Sequence, residues 1–442
     1  MAQELIEDRI GRAIAAQEAR DDAAAEIAYR EVLEEIPTHT LARNNLAALL
    51  ARRGNTAEAL EVLDALIVEE PGYTPAYFNR GNVLLALGRT LDAVEMFRVV
   101  IDLDPDNIGA HRALGFQWLA VGHRGRSLDH FARTYDLRRG ESRTGIAEKS
   151  LRTASAEKLK HDSDLFRNLP LRSRDGQRFE TLARLYDQVA ASLDDGVVEL
   201  TDEQLEILGT DYNTLIHSVE APEILSGAVS PSLDAEIIEA SWINNTNGIV
   251  TIDDLLTDDA LRLLRRFLQQ STIWHDFTHI GGFVATYLED GLACPLVIQI
   301  ADEIRTALPQ LLGQYPLTQA WAFKALNGDS PIDLHADDAV ISLNFWITPD
   351  SANRNPETGG LVVYNSLPPP EWPIVDYDAD RSRIQRFLAQ NGDNKINVPY
   401  RENRGVIFDS RLFHGTDRPE FSHGYESHRI NVTMLFGINS LM

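Results

Sequence analysis

Two residues in the stretch DLHADDAVISLNFWITPD, together with a histidine far downstream, have the types and order that hold a metal ion. His335 and Asp337 are two positions apart, so an extended backbone projects both side chains to one face. With a distant histidine they form a two-histidine, one-carboxylate set. That ligand group suits non-haem iron(II) and leaves neighbouring coordination positions open. A pair of this kind also arises in ordinary surface turns. Asp338 falls on the opposite face of an extended strand and is not part of the set.

Three downstream histidines compete for the third place. His414, in FDSRLFHGTDRPE, follows the apolar run GVIF and precedes a turn, which places it at the end of a strand. His423 lies in the polar loop SHGYESH, and His428 has the wrong parity relative to Arg429. His414 is therefore the expected ligand. Fifteen residues beyond it, Arg429 opens RINVTMLFG. With a period of two, Arg429, Asn431 and Thr433 share one face, and Ile430, Val432 and Met434 share the other. A guanidinium leading a polar stripe on a core strand needs an anionic partner, because an unpaired buried charge is costly. Either an Asp or Glu of the protein or the carboxylate of a bound acid fills that role; a fork-shaped guanidinium grips a carboxylate through two parallel hydrogen bonds.

These residues need strands to position them. The runs AWAFKALN, AVISLNFWIT, GGLVVYN, KINVPY, RGVIFDS and RINVTMLFG are short, β-rich and mostly separated by turn residues. They predict an antiparallel barrel or jelly roll. GIVTIDDLLTDDALRLLRRFLQQ reads as a strand followed by a helix capped near Thr257 or Asp258, and PLVIQIADEIRTALPQLL as a second amphipathic helix. In AVISLNFWIT, Ser342, Asn344 and Trp346 alternate with Leu343 and Phe345, so one face lines the site; for Asn344 a cofactor contact and a cross-strand hydrogen bond are both open. Lys324 reads as a snorkelling surface lysine. Trp372 and Tyr377 fall in 366–395, a Pro-rich and polar segment expected to act as a lid, where an aromatic ring also serves as an anchor.

The first third of the chain is periodic. Pro37, Pro71 and Pro105 recur every 34 residues, as do Gly54, Gly88 and Gly122, and Ala25, Ala59 and Ala93. That is the period of the tetratricopeptide repeat. One unit supplies Tyr77, Gly81, Leu84, Ala93, Phe97 and Pro105, and the next His111, Gly115, Trp118, Ser127 and Phe131, with Arg139 where proline would fall. Gly81 and Ala93 are small where two helices cross, Gly88 ends a helix in a left-handed conformation, and Pro105 stops the next. About four units cover 6–139. Between the repeats and the β-rich part, TGIAEKSLRTASAEKLKHDSDLFRNL and RFETLARLYDQVAASL have helical spacing, and GAVSPSLDAE reads as a boundary loop.

Composition narrows the partners. The formal charge of −26 repels nucleic-acid phosphates, so nucleic acid is not an expected partner. The single cysteine, Cys294, excludes an intramolecular disulfide and a cysteine-cluster metal site. No apolar run reaches membrane-spanning length, and the charged N-terminus lacks the apolar core of a signal peptide. A cytoplasmic protein is the expectation.

The stretch from about 320 to 437 resembles the double-stranded β-helix core of the 2-oxoglutarate/Fe(II) oxygenase superfamily. ETGGLVVYNSLPPPEW is similar to the Gly-rich strand and following lid of phytanoyl-CoA-dioxygenase-like members. RINVTMLFG is similar to the Arg-x-Asn-x-Thr-x-Arg strand of the alkylation-repair demethylases, whose first Arg and Asn contact the oxo-acid; those positions are Arg429 and Asn431 here. The second Arg of that pattern is Leu435, a departure that, with the acidic charge, argues against alkylated nucleic acid as substrate. The resemblance implies Fe(II) and 2-oxoglutarate as cofactors, molecular oxygen as co-substrate, and Asn344 as a further candidate contact. Asp337 matters to the outcome, because members that halogenate replace this carboxylate with a small residue; its presence favours hydroxylation or demethylation.

The expected architecture is a multidomain α + β chain. A tetratricopeptide repeat solenoid spans 1–139, a helical connector 140–235, and a double-stranded β-helix (jelly roll) oxygenase domain with flanking helices 236–442. The repeats are expected to bind a protein partner. Two other readings are a repeat-based scaffold carrying an inactive jelly roll, and a barrel metalloenzyme without an oxo-acid, which would have no use for Arg429.

Overall fold

A computed structural model of the chain describes residues 2–140, 151–169, 174–244, 248–278, 282–326, 332–369, 372, 381–391 and 394–438. It divides into two compact units, Met1–Trp118 and Leu119–Met442.

The first unit is built of helical hairpins: α1 (Ala2–Glu18) with α2 (Asp22–Glu35), α3 (Thr40–Arg52) with α4 (Thr56–Glu69), and α5 (Thr74–Ala86) with α6 (Thr90–Leu103). The next helix, α7 (Ile108–Ala120), begins in this unit. The glycine and alanine positions of the 34-residue period have structural causes. A Cβ on Gly81 would lie 2.6 Å from the Phe97 ring, so only glycine lets α5 and α6 approach this closely. Gly54 and Gly88 have φ of +82° and +71°, and Arg89 N–H donates to the Leu84 carbonyl at 2.9 Å, closing α5 with a left-handed cap. Ala93, Phe97, Val100, Ala110 and Leu114 are buried in one cluster.

The second unit begins with α8 (Arg124–Arg139). Arg139, which stands where the repeat pattern has proline, forks onto Asp290 through bonds of 3.0 and 2.8 Å, and both residues are buried. The connector contains α9 (Ala156–Asn168) and α10 (Arg174–Ala190), joined by Phe166 packing on Phe179 and Tyr186. Two short strands, β1 (Thr153–Ala154) and β2 (Val198–Glu199), pair beside them. The first part of the predicted connector helix, 144–150, lies outside the described residues.

The rest of the unit is β-rich. A six-stranded antiparallel sheet has the order β3 (Ile249–Ile252), β9 (Gly405–Asp409), β6 (Ile341–Trp346), β11 (Ile430–Phe436), β5 (Leu317–Ala325), β4 (Phe283–Tyr287). A three-stranded sheet has the order β10 (His414–Thr416), β7 (Leu361–Tyr364), β8 (Lys395–Val398). Ile249, Val406 and Phe408 from the larger sheet and Leu361, Val363 and Val398 from the smaller one share a buried cluster, so the sheets face each other across it. All six predicted β-rich runs are strands. Helix α11 (Asp258–Gln270) is capped by Thr257, whose hydroxyl accepts from Ala260 N–H, and the second predicted helix is α12 (Pro295–Ala307).

A later helix, α13 (Arg381–Gln390), lies inside the segment read as a lid. Trp372 packs its ring on Phe387 of α13 and on Phe413, the residue before His414, so it anchors the segment to the sheet. Tyr377 lies outside the described residues.

Candidate metal centre

His335 and His414 are brought together by main-chain pairing. Each backbone N–H donates to the other's carbonyl, at 3.0 and 2.8 Å, and the imidazole centres are 4.4 Å apart. Asp337 N–H donates to the Ser410 carbonyl at 2.8 Å, so its side chain emerges on the same face, as the two-residue spacing requires. Ligand atoms of His335, Asp337 and His414 lie within 4.8 Å of one another. His335 Nε2 is 3.7 Å from one Asp337 oxygen and His414 Nε2 is 3.5 Å from the other. Asp338 is exposed, and neither His423 nor His428 joins the group.

The donor chemistry fits a metal. His335 Nδ1 bonds the Asp333 carbonyl at 2.7 Å, and His414 Nδ1 bonds the Leu412 carbonyl at 2.9 Å. A carbonyl only accepts, so each Nδ1 carries the proton and each Nε2 offers a lone pair toward Asp337. Burial, then His335 beside it, pushes the His414 imidazole down to about 4. Asp337 is buried, and the Ser342 hydroxyl donates to it at 2.6 Å while standing 2.9 Å from Ser410 Oγ. Ligands about 2.1 Å from a metal on adjacent octahedral corners are about 3 Å apart, so a small contraction of the observed spacings suffices. A buried carboxylate between imidazole lone pairs is itself an unfavourable arrangement that a cation relieves.

The same cavity is lined by Arg429, Asn431, Thr433, Asn344 and Trp346. Arg429 is buried, and burial pulls its guanidinium down to about 10. It donates to the Gly359 carbonyl at 2.8 Å, to Asn431 Oδ1 at 3.1 Å and to the Gly360 carbonyl at 3.5 Å. Among the described residues no Asp or Glu pairs with it. Neither position tolerates a side chain: Gly359 has φ of +82°, and a Cβ on Gly360 would lie 1.9 Å from the Val398 carbonyl oxygen. Asn344 makes the cross-strand bond, its Oδ1 accepting from Thr433 Oγ1, and it also lines the cavity.

Lys324 differs from its sequence reading. It is fully buried, not a surface lysine: its Nζ sits 3.3 Å from the centroid of the Tyr425 ring and 5.7 Å from that of Trp274. Those rings come from distant segments, so a lysine on the face of β5 opposite Trp321 and Phe323 carried no local sign of its cage. Sequence reasoning also missed Ser410 and the pair Trp321 and Phe323, which line the cavity from β5. The alternation in AWAFKALN placed two large aromatics on one face, and that was the available signal.

Comparisons with known proteins reach the repeats. A tetratricopeptide repeat family model matches residues 75–107. No curated protein matches the chain. Among solved structures, an O-GlcNAc transferase mutant of Thermobaculum terrenum is 28% identical over 29% of this chain and 26% of its own, with a TM-score of 0.28. MamA of Desulfovibrio magneticus RS-1 is 26% identical over 31% of this chain and 77% of its own, with a TM-score of 0.29. The tetratricopeptide domain of Arabidopsis OM64 is 23% identical over 25% of this chain and 91% of its own, with a TM-score of 0.24. This chain thus spans about a quarter of the transferase's length. The N-terminal region carries tetratricopeptide repeats, a module that binds protein partners. Among the described residues no helix is long and apolar enough to cross a membrane.

Proposed function

We propose that the second unit is an iron(II)- and 2-oxoglutarate-dependent oxygenase acting by hydroxylation or demethylation in the cytoplasm. In this reading residues 236–442 are the catalytic domain, their two sheets forming a double-stranded β-helix, and 140–235 connect it to the repeats of 1–139. The observation that carries the proposal is one cavity holding both a His/Asp/His set, Asp337 and His414 buried and His335 partly so, and a buried guanidinium without a carboxylate partner among the described residues. Either feature alone has an ordinary structural explanation. A cation and a carboxylic acid bound together account for both.

His335, Asp337 and His414 would hold Fe(II) through two Nε2 atoms and a carboxylate oxygen. Bound there with 2-oxoglutarate and oxygen, iron supplies the oxidising chemistry that couples release of succinate and carbon dioxide to oxidation of a substrate C–H bond. Arg429 takes the distal carboxylate of the acid, held in place by the Gly359 carbonyl and Asn431. Asn344 commits its carbonyl to Thr433 and keeps its amide N–H groups for the acid. Ser342 fixes one Asp337 oxygen, and burial of Asp337, His414 and Arg429 keeps bulk water from these charges. The repeats recruit a protein partner.

The test is succinate release by the full chain supplied with Fe(II), 2-oxoglutarate and oxygen, with His335→Ala as the blank. Release above the blank is expected; none above it across a broad panel of candidate substrates contradicts the reading. A second reading, a repeat scaffold with a catalytically inactive jelly roll, is favoured by one fact: the matched family model lies in the repeats, at residues 75–107. It expects no Fe(II) or Mn(II) binding that depends on His335 and His414.

A further inference from the structure

Strand β5 carries two rings to the face that bears the candidate metal ligands. Trp321 lies opposite Thr433 of β11, and Phe323 opposite Asn431. Residues directly opposite in an antiparallel pair share a face, so both rings stand beside the polar stripe that Arg429 leads. Trp321 and Phe323 line one cavity with His335, Asp337, His414 and Arg429. The indole of Trp321 is 6.0 Å from the Phe323 ring and 6.4 Å from Tyr287. Those contacts fix the ring, yet its Nε1–H is buried and meets no acceptor among the described residues.

An unmet buried donor is uncommon and asks for a partner. The nearby polar groups of β11 and β6 do not supply one. Asn431 Oδ1 accepts from Arg429, Asn344 Oδ1 accepts from Thr433, and the Thr433 hydroxyl stands 3.5 Å from Asn431 Nδ2. The polar stripe is thus bonded to itself. Apart from His335, Asp337 and His414, whose acceptors are assigned to the metal, the unused polar groups of these strands are donors: the indole N–H, and the guanidinium N–H groups of Arg429 beyond the three it uses on Gly359, Gly360 and Asn431. Surplus donors without acceptors describe a site for a ligand rich in acceptor oxygens and negatively charged.

We propose that Trp321 is a binding and specificity residue for the oxo-acid, its indole N–H donating to a carboxylate oxygen of the 2-oxoglutarate that Arg429 anchors. This rests on the oxo-acid reading above and adds to it a contact from β5. The acid is held from two strands, β11 through Arg429 and β5 through Trp321. A phenylalanine at 321 keeps a ring for Phe323 and Tyr287 to pack on and removes the donor alone.

The experiment uses the full chain without oxygen. Calorimetry measures Mn(II) binding, then 2-oxoglutarate binding to the Mn(II)-loaded protein, for wild type and Trp321→Phe. In parallel, the indole N–H resonances of the Zn(II)-loaded, 15N-tryptophan-labelled protein are followed as 2-oxoglutarate is added, Trp321 being the signal absent from the variant. The expected result is unchanged Mn(II) affinity, a roughly ten- to hundredfold loss in 2-oxoglutarate affinity in the variant, and a shift of the Trp321 resonance in wild type. Binding that the variant leaves within twofold, or a Trp321 resonance that does not move, overturns the proposal while leaving the oxo-acid reading intact. Wild-type protein that binds Mn(II) and no 2-oxoglutarate overturns both. Should the variant also lose Mn(II) affinity, the wild-type resonance decides.

Discussion

His335 and His414 face each other across a single antiparallel bridge, each N–H bonded to the other's carbonyl at 3.0 and 2.8 Å, with ring centres 4.4 Å apart. Seventy-nine residues of sequence separate them, and one backbone pairing fixes their imidazoles.

Removing either imidazole is expected to abolish tight metal binding. His335→Ala and His414→Ala should each lower Mn(II) affinity by more than the roughly ten- to hundredfold that loss of an outer-shell partner costs, measured by calorimetry. His423→Ala, an exposed residue outside the group, should leave it unchanged. Equal affinity in all three variants would sink the assignment.

Ser342 touches Asp337 and faces Ser410, so it acts on the metal only through the carboxylate. Ser342→Ala should weaken Mn(II) binding by roughly ten- to hundredfold without unfolding the protein. Ser342→Thr, which keeps a hydroxyl, should restore part of that loss. A variant with wild-type affinity would mean the hydroxyl is only packing.

In the repeats, Gly81 has no room for a side chain because Phe97 fills the space. Gly81→Val is expected to destabilise the first unit by about 1–3 kcal/mol, the usual cost of overpacking. Thermal unfolding reads this directly. Gly11, with open space at its Cβ position, is the matching site for a harmless Gly→Ala control.

Stability should fall with acid in a window set by buried histidines. Burial, then nearby Lys324, pushes His161 down to about 3, and His428 is held at about 3 by burial, Lys324 and His161. The Asp162 carboxylate bonds His161 Nδ1 and offsets part of the effect. The unfolded chain, with ordinary histidines near 6.5, binds more protons than the folded one between about pH 3 and 6.5. Unfolding free energy therefore rises with pH across that window and is lost as pH falls below 6.5. Urea titrations at pH 7 and pH 5 check the sign, and His161→Asn, which keeps a donor toward Asp162, should flatten the slope. A pH-independent midpoint would contradict it.

How far the sequence could be read depended on whether a signal was local. The His335-x-Asp337 spacing fixed a shared face, and the parity of Arg429, Asn431 and Thr433 fixed another, because strand geometry has a period of two. The repeat glycines showed themselves by their 34-residue interval and have matching left-handed or close-packed roles. Strand β10 spans three residues, too few for an alternation to register, so His414 was found by its order and neighbours. The cage around Lys324 is built by Trp274 and Tyr425, which lie 50 and 101 residues away along the chain; no window of sequence contains it. The open donor of Trp321 became visible only with the strand register.

The most direct test of the central claim is whether the protein binds 2-oxoglutarate through a metal and Arg429 together. Anaerobic calorimetry of the full chain should show 2-oxoglutarate binding after Mn(II) is loaded, greatly weakened without Mn(II), and greatly weakened in Arg429→Ala with Mn(II) affinity retained. Binding that ignores Mn(II), or that survives loss of Arg429 unchanged, would contradict it.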